Sequence, residues 1–180
     1  MARNVGNFVL FQVLWFAAVG GAAIGFSMLA LPVLLAMFGW SLMTGGPLRA
    51  DGFMLLAGVL IGLLFEVLFL ASGVLAYQGQ SLEWAPPLWI LMLWAGFAMT
   101  FNHSMAWVRG RSLLAVLLGA CGSVLSLFAG VRLGAAEVLA PAWTVAVIYG
   151  ASWAVMVPAL AWLADWLDAG QGERVTDLPG

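Results

Sequence analysis

The sequence predicts an all-α protein, a polytopic membrane helix bundle of six transmembrane helices with the N- and C-termini in the cytoplasm. Of its 180 residues, 64% are hydrophobic and only 8% are charged, whereas soluble domains carry about 25% charged residues. Because so few charges cannot cover a water-facing surface, the surrounding medium must be lipid. We expect one transmembrane domain, residues 1–165, and a short polar, disordered tail, residues 166–180.

The composition also argues against several kinds of chemistry. Lysine is absent and all six cations are arginine, so Schiff-base chemistry and lysine-bound cofactors are excluded. The single cysteine, Cys121, cannot form an internal disulfide or a paired-cysteine zinc site. One histidine cannot build a di-iron or bis-histidine haem site. We expect no cofactor, no metal and no nucleic-acid partner.

The first two spans share one apolar run. Residues 8–43 are too long for a single span, because about 20 residues cross about 30 Å of hydrocarbon. The centre of the run, "GGAAIGFS", is flexible enough to turn, which predicts two helices joined by a very tight hairpin. The small residues of that centre resemble a signal-peptide cleavage site, but the apolar run continues beyond them. It therefore indicates an uncleaved first helix.

Four further spans are predicted at residues 52–74, 86–105, 112–131 and 141–163. Asp51 is a good N-cap for the third span, and Ser112 can cap the fifth. Spans four and six each begin with proline in the first turn, where its missing N–H would be unpaired anyway.

The orientation follows from the arginines. With six spans and the N-terminus inside, five arginines face the cytoplasm (Arg3, Arg49, Arg109, Arg111 and Arg174) and only Arg132 faces outward. A single span over residues 8–43 would move three of the five outside. The positive-inside rule therefore favours six spans.

Three tryptophans lie near mid-depth. Seven others fall at the membrane borders, where an aromatic belt explains them. Trp15, Trp94 and Trp153 lie in the middle of spans one, four and six. They either pack in the interior or line an apolar pocket, since pockets are lined mainly by apolar and aromatic groups.

Stripes of small residues predict which helix faces pack closely. In span three the stripe is Gly58, Gly62 and then Glu66, and in span five it is Gly122, Ser126 and Gly130.

Glu66 is the most informative single residue, since a carboxylate at the centre of a membrane helix costs about 2.5–3.5 kcal/mol. Its stripe predicts that it points into the bundle. It is either a neutral acid bonded to a backbone carbonyl or serine, or a substrate contact or proton relay. Arg132 is a possible partner if its end of span five dips inward.

The triplet Asn102, His103 and Ser104 ends span four near the predicted cytoplasmic surface. Gln12 is expected in the second turn of span one, at similar depth. Either the triplet is a polar helix end that reaches headgroups and water, or Gln12, Asn102, His103 and Arg109 form a site for a headgroup or small anion. The second alternative requires that Gln12 lie no farther than one side-chain length from Asn102 or His103.

Three segments resemble an uncharacterised bacterial inner-membrane family, domain of unknown function 2878: "NFVLFQVLWFAAVGGAA", "APPLWILMLWAGFAMTFNHSM" and "RGRSLLAVLLGACG". The resemblance covers most of residues 4–165. It implies a small multi-pass inner-membrane protein of no established activity, with an acid in the third span, here Glu66. Members tend to lie near genes of fatty-acid-modifying methyltransferases and flavin oxidases, which implies a link to membrane-lipid metabolism.

Three functions remain open. The first is the binding of a lipid or small apolar molecule, as an accessory to membrane-lipid metabolism and in contact with other membrane proteins. The second is a substrate-binding or transport component for a small molecule. The third, least supported, is an enzyme at the inner leaflet using His103 or Glu66. The candidate ligand-binding residues are Gln12, Trp15, Glu66, Trp94, Asn102, His103, Arg109 and Trp153.

Overall fold

The computed structural model describes the backbone of residues 1–176 and the side chains of residues 1–169. Over these residues the helices are α1 (Ala2–Ala23), α2 (Ala30–Met43), α3 (Leu48–Ala71), α4 (Leu88–Thr100), α5 (Ser112–Leu133) and α6 (Ala142–Thr176). Single 3₁₀ turns lie at Ser27–Leu29 and Ala106–Val108, and two strands, β1 (Leu75–Tyr77) and β2 (Ala136–Val138), form a small sheet.

Four of the helices are long and apolar enough to cross a membrane: α1, α3, α5 and the first 28 residues of α6. Helices α2 and α4 are shorter, with 14 and 13 residues, which is about 20 Å at 1.5 Å per residue. The 3₁₀ turn before α2 extends that apolar helix to Ser27–Met43. The predicted helical membrane protein is thus confirmed in its broad character.

The predicted hairpin between the first two helices is present. Gly25 has a φ of +81°, a conformation that glycine adopts without strain. The N–H of Phe26 donates to the carbonyl of Gly21 at 2.7 Å. A Cβ on Gly21 would lie 2.7 Å from the Phe26 carbonyl oxygen, so the lack of a side chain there permits the tight reversal.

Helices α1 to α4 pack together, and α5 pairs with α6. The glycine stripe of α3 packs closely, as predicted, and its partner is α4, because a Cβ on Gly58 would lie 2.6 Å from the carbonyl oxygen of Trp94. A Cβ on Gly62 would lie 2.4 Å from the Trp94 ring. On α5 the close approach is made by Gly119, whose Cβ would lie 2.2 Å from the carbonyl oxygen of Trp153.

Both ends of the bundle are tied by contacts between different helices. At one end β1 and β2 pair antiparallel, with Leu75 opposite Val138. At the other end Arg109, just before α5, forms ion pairs with Asp165 and Asp168 on α6. The strands were not predicted, since three residues are too few to show a pattern.

Two predicted helix caps are wrong. Asp51 lies inside the first turn of α3, whose N-cap is Pro47 and whose end carries no side-chain cap. Ser112 is the first residue of α5 and follows the N-cap Arg111. In both cases the helix begins earlier than the polar residue indicated.

The predicted tail is also shorter than expected. Helix α6 continues to Thr176, so residues 166–176 are helical and not irregular. The remaining residues, 177–180, lie outside the described part of the chain.

Candidate functional site

A cavity of about 500 Å³ lies among α1, α4, α5 and α6, and α3 contributes Glu66 to its wall. Its walls are mainly apolar and aromatic, and include Phe11, Trp15, Trp94, Phe97 and Trp153. The volume lies within the range of about 300–1,000 Å³ that is usual for small-molecule sites.

All three mid-depth tryptophans line this cavity. The rings of Trp94 and Trp153 are stacked, with centroids 4.4 Å apart and an interplanar angle of 23°. Trp15 Nε1 donates to Ser126 Oγ at 2.9 Å and so connects α1 to α5. Trp15 and Trp153 are partly exposed in the cavity, whereas Trp94 is only 2% exposed and also packs in the interior.

Glu66 points into the bundle, as its glycine stripe predicted, and is completely buried. Trp94 Nε1 donates to Oε1 at 2.8 Å, and the hydroxyl of Tyr77 donates to Oε2 at 2.7 Å. The partner predicted for Glu66 was a backbone carbonyl or a serine. Its actual partners are the side chains of Trp94 and Tyr77, which both donate to it. Arg132 is exposed on α5 and is not a partner.

The two hydrogen bonds define what Glu66 does. Because it has no exposed surface and both oxygens already accept a bond, it presents no free atom to a ligand. It fixes the indole of Trp94 in the cavity wall, and through Tyr77 it holds β1 against α3. Glu66 is therefore a positioning residue for the cavity.

The cavity opens sideways between α1 and α5. Four of its lining residues on these two helices are exposed: Gln12, Phe16, Leu118 and Gly122. We call this opening the portal. A Cβ on Gly122 would meet nothing within 4 Å, so this glycine leaves space at the portal. Its predicted role in close helix packing is wrong.

A second feature is a buried polar network where α2, α3 and the end of α4 meet. His103 Nε2 lies 3.0 and 2.9 Å from the two carboxylate oxygens of Asp51. Asn102 Nδ2 donates to Asp51 Oδ1 at 2.9 Å, and the Ser41 hydroxyl donates to Oδ2. The polar network comprises Ser41, Asp51, Asn102 and His103, and each of them is buried.

The geometry of the polar network does not suit nucleophilic catalysis. In a serine hydrolase the carboxylate and the serine bind opposite nitrogens of the histidine. Here Ser41 Oγ lies 3.5 Å from Nε2, the same nitrogen that contacts Asp51. The other nitrogen, Nδ1, is buried and has no partner among the described residues. The polar network therefore joins helices and presents no activated hydroxyl.

The rest of the triplet connects to α1. Ser104 Oγ donates to Asn7 Oδ1 at 2.7 Å, and Asn7 is buried. The predicted contact between spans one and four is thus present, but Asn7 makes it in place of Gln12. Since α1 begins at Ala2, Gln12 is the eleventh of its 22 residues and lies half-way along the helix. The prediction that Gln12 lies in the second turn of the helix is therefore wrong, because α1 begins at Ala2.

The predicted headgroup or anion site does not form. Arg109 is paired with Asp165 and Asp168, whereas Asn102 and His103 are bonded to Asp51. Because His103 is only 1% exposed, the triplet is not a polar helix end open to headgroups and water either. Asp51 was missed because an acid near a helix start is usually a cap.

In the described part of the chain, no group of three or more His, Cys, Asp or Glu side chains is placed to hold a metal ion.

Comparison with known proteins gives a family. Residues 4–159 match the model of a family described as "Protein of unknown function (DUF2878)". No curated protein and no solved structure matches the chain. Since the match covers most of the sequence, the chain belongs to this family of unknown function.

Proposed function

We propose that the protein is a multi-pass membrane protein that binds a lipid or small apolar molecule in the cavity. The observation that carries this proposal is an aromatic cavity that opens sideways through the portal. In a bilayer that opening faces acyl chains. An apolar ligand can therefore enter from the membrane without crossing water, and its apolar surface is then buried against the partly exposed Trp15 and Trp153.

We further propose six spans with both termini in the cytoplasm of a bacterium, in the inner membrane. The contacts support this alternation of helix direction. Ser41 near the end of α2, Asp51 at the start of α3 and Asn102 after α4 meet at one end of the bundle. The strands that follow α3 and α5 meet at another. The arginine distribution favours a cytoplasmic position for the polar network.

Binding is favoured over catalysis. Glu66 and His103, the two residues considered for acid–base chemistry, are 0% and 1% exposed. A general acid or base must come within hydrogen-bond reach of its substrate. A passive lipid-binding role is compatible with the accessory function in membrane-lipid metabolism that the family resemblance implies.

The test is to identify what the purified protein retains. The wild type, Gly122→Phe and Gly39→Phe are purified in mild detergent, and bound molecules are extracted and identified by mass spectrometry. Gly122→Phe fills the portal. Gly39→Phe is the matched control, because a Cβ on this α2 glycine also meets nothing within 4 Å and Gly39 does not line the cavity.

We expect one lipid-like molecule in the wild type and in Gly39→Phe, and its loss from Gly122→Phe. Equal amounts in all three proteins contradict binding in the cavity. A water-soluble, vitamin-like molecule in its place favours the transport component.

A further inference from the structure

Gln12 occupies an unusual position for a polar side chain. It lies half-way along α1, lines the cavity and is exposed at the portal. Its neighbours Val9, Val13 and Phe16 are 51%, 46% and 64% exposed, so this part of α1 faces hydrocarbon. Among the described residues, Gln12 has no side-chain hydrogen bond.

An amide in this position needs a partner. A primary amide has two donors and an acceptor, and leaving them unpaired in hydrocarbon is unfavourable because no water can replace the lost bonds. Polar residues at such depth are candidates for function by default. Since Gln12 lies at the portal, the polar end of a bound molecule can provide the missing partner.

Several polar groups of the wall already have hydrogen-bond partners. Ser126 Oγ accepts from Trp15, and the Ser123 hydroxyl donates to the carbonyl of Ala120. Both oxygens of Glu66 accept from the protein. Trp153 Nε1 is buried in the wall without a partner among the described residues and is a free donor, whereas Gln12 is the exposed amide at the portal.

The charges of the wall define the ligand further. The chain has no lysine, and neither Arg nor His is among the described residues that line the cavity. An anionic headgroup would therefore lie in a low-dielectric site without a counter-charge, which is strongly unfavourable. Arg109 cannot supply one, because it is paired with two aspartates of α6.

We propose that Gln12 binds the polar end of an uncharged lipid whose end carries a hydroxyl or carbonyl oxygen, while its apolar body lies along Trp15 and Trp153, which are both partly exposed in the cavity. This inference rests on the proposed function and names its ligand class. The amide can donate to either kind of oxygen and can also accept from a hydroxyl.

The test uses three photoreactive probes with the same 16-carbon, diazirine-bearing chain: an alcohol, a sulfonate and the plain alkane. The protein is labelled in phosphatidylcholine nanodiscs, and the modified peptides are identified by mass spectrometry. Four proteins are compared: wild type, Gln12→Leu, Val13→Leu and Gly122→Phe. Val13→Leu is the control, because Val13 is exposed on α1 and does not line the cavity.

In the wild type and Val13→Leu we expect the alcohol to label cavity peptides about fivefold more than the alkane, as one net hydrogen bond of about 1 kcal/mol implies. The sulfonate should label them least. Gln12→Leu should label equally with alcohol and alkane, since only the preference depends on the amide.

Two failures are distinguishable. Labelling that Gly122→Phe leaves unchanged shows that the probes do not enter the cavity, and overturns the proposed function. Labelling that Gly122→Phe blocks, but that is equal for the three probes or keeps its alcohol preference in Gln12→Leu, overturns the role of Gln12 alone.

Discussion

His103 Nε2 and Asp51 Oδ2 lie 2.9 Å apart, fully buried at the point where α2, α3 and the end of α4 meet. Fifty-two residues separate them in the chain. The Asn-His-Ser triplet therefore connects several helices by hydrogen bonds. Asn102 binds the same carboxylate as His103, and Ser104 binds Asn7 on α1.

Substitution of His103 tests whether this connection between helices stabilises the protein. His103→Ala removes one of the three side chains that bind the buried Asp51 carboxyl group, and loss of a partner of a buried polar group costs about 1–3 kcal/mol. We expect the abundance of the protein in the membrane and its resistance to unfolding by detergent to fall together with ligand retention. The control is Glu83→Gln, because Glu83 is an exposed acid outside the helices. Normal abundance and stability with lost ligand retention would contradict a structural role.

Substitutions of Glu66 test its two hydrogen bonds. Glu66→Gln keeps the shape of the side chain, and its amide can accept from Trp94 and donate to the hydroxyl oxygen of Tyr77, so we expect a loss of at most about 1 kcal/mol in unfolding free energy. Glu66→Lys buries an ammonium that cannot accept from the Trp94 indole and should prevent folding. Thermal unfolding monitored by tryptophan fluorescence measures the stability of the Gln variant. The abundance of the protein in the membrane shows whether the Lys variant folds. An abundant, stable Lys variant would show that Glu66 does not face Tyr77 and Trp94.

The glycine stripe of α3 gives a packing prediction. Gly58→Ala places a Cβ 2.6 Å from the Trp94 carbonyl oxygen, and such overpacking costs about 1–3 kcal/mol. Gly52→Ala, on the same helix, meets nothing within 4 Å. It should be neutral or stabilising by up to about 1 kcal/mol, because alanine favours helix more than glycine. The midpoints of denaturant-induced unfolding of the two variants are compared. Equal midpoints for Gly58→Ala and Gly52→Ala would contradict the close approach of α3 and α4.

The bond between Trp15 and Ser126 crosses from α1 to α5 beside the portal. Ser126→Ala removes it, at a cost of about 1 kcal/mol, and should speed the exchange of a bound apolar probe. Ser152→Ala is the control, because that hydroxyl bonds only to a carbonyl of its own helix. Stopped-flow measurement of probe release should show faster release for Ser126→Ala alone. Unchanged release would mean that the bond does not restrict the portal.

Reporter fusions test the proposed topology. Fusions after residue 80 should report the periplasm, and fusions after residues 110 and 175 the cytoplasm, since five of six arginines then lie inside. Alkaline phosphatase and green fluorescent protein are suitable paired reporters. The opposite pattern would move the polar network to the outer surface.

Composition and periodicity are local properties, and they determined several features without a structure. The scarcity of charged residues indicated a membrane protein. The apolar run of residues 8–43 with its flexible centre predicted the hairpin between the first two helices. The spacing of Gly58, Gly62 and Glu66 identified the inward face of α3. Mid-depth placement separated Trp15, Trp94 and Trp153 from the tryptophans of the membrane borders.

Only the tertiary structure decided which polar groups meet. The sequence contains Asp51, His103 and Gln12 but not the distances between them, because helix ends shift by several residues without a visible change in pattern. Because α1 begins at Ala2, Gln12 lies in the middle of that helix, and Asn7 is the residue that contacts Ser104. Because α3 begins at Leu48, Asp51 lies inside that helix, where it contacts His103. The partner of a buried polar group depends on which helices touch and at what height, and packing between distant segments fixes both.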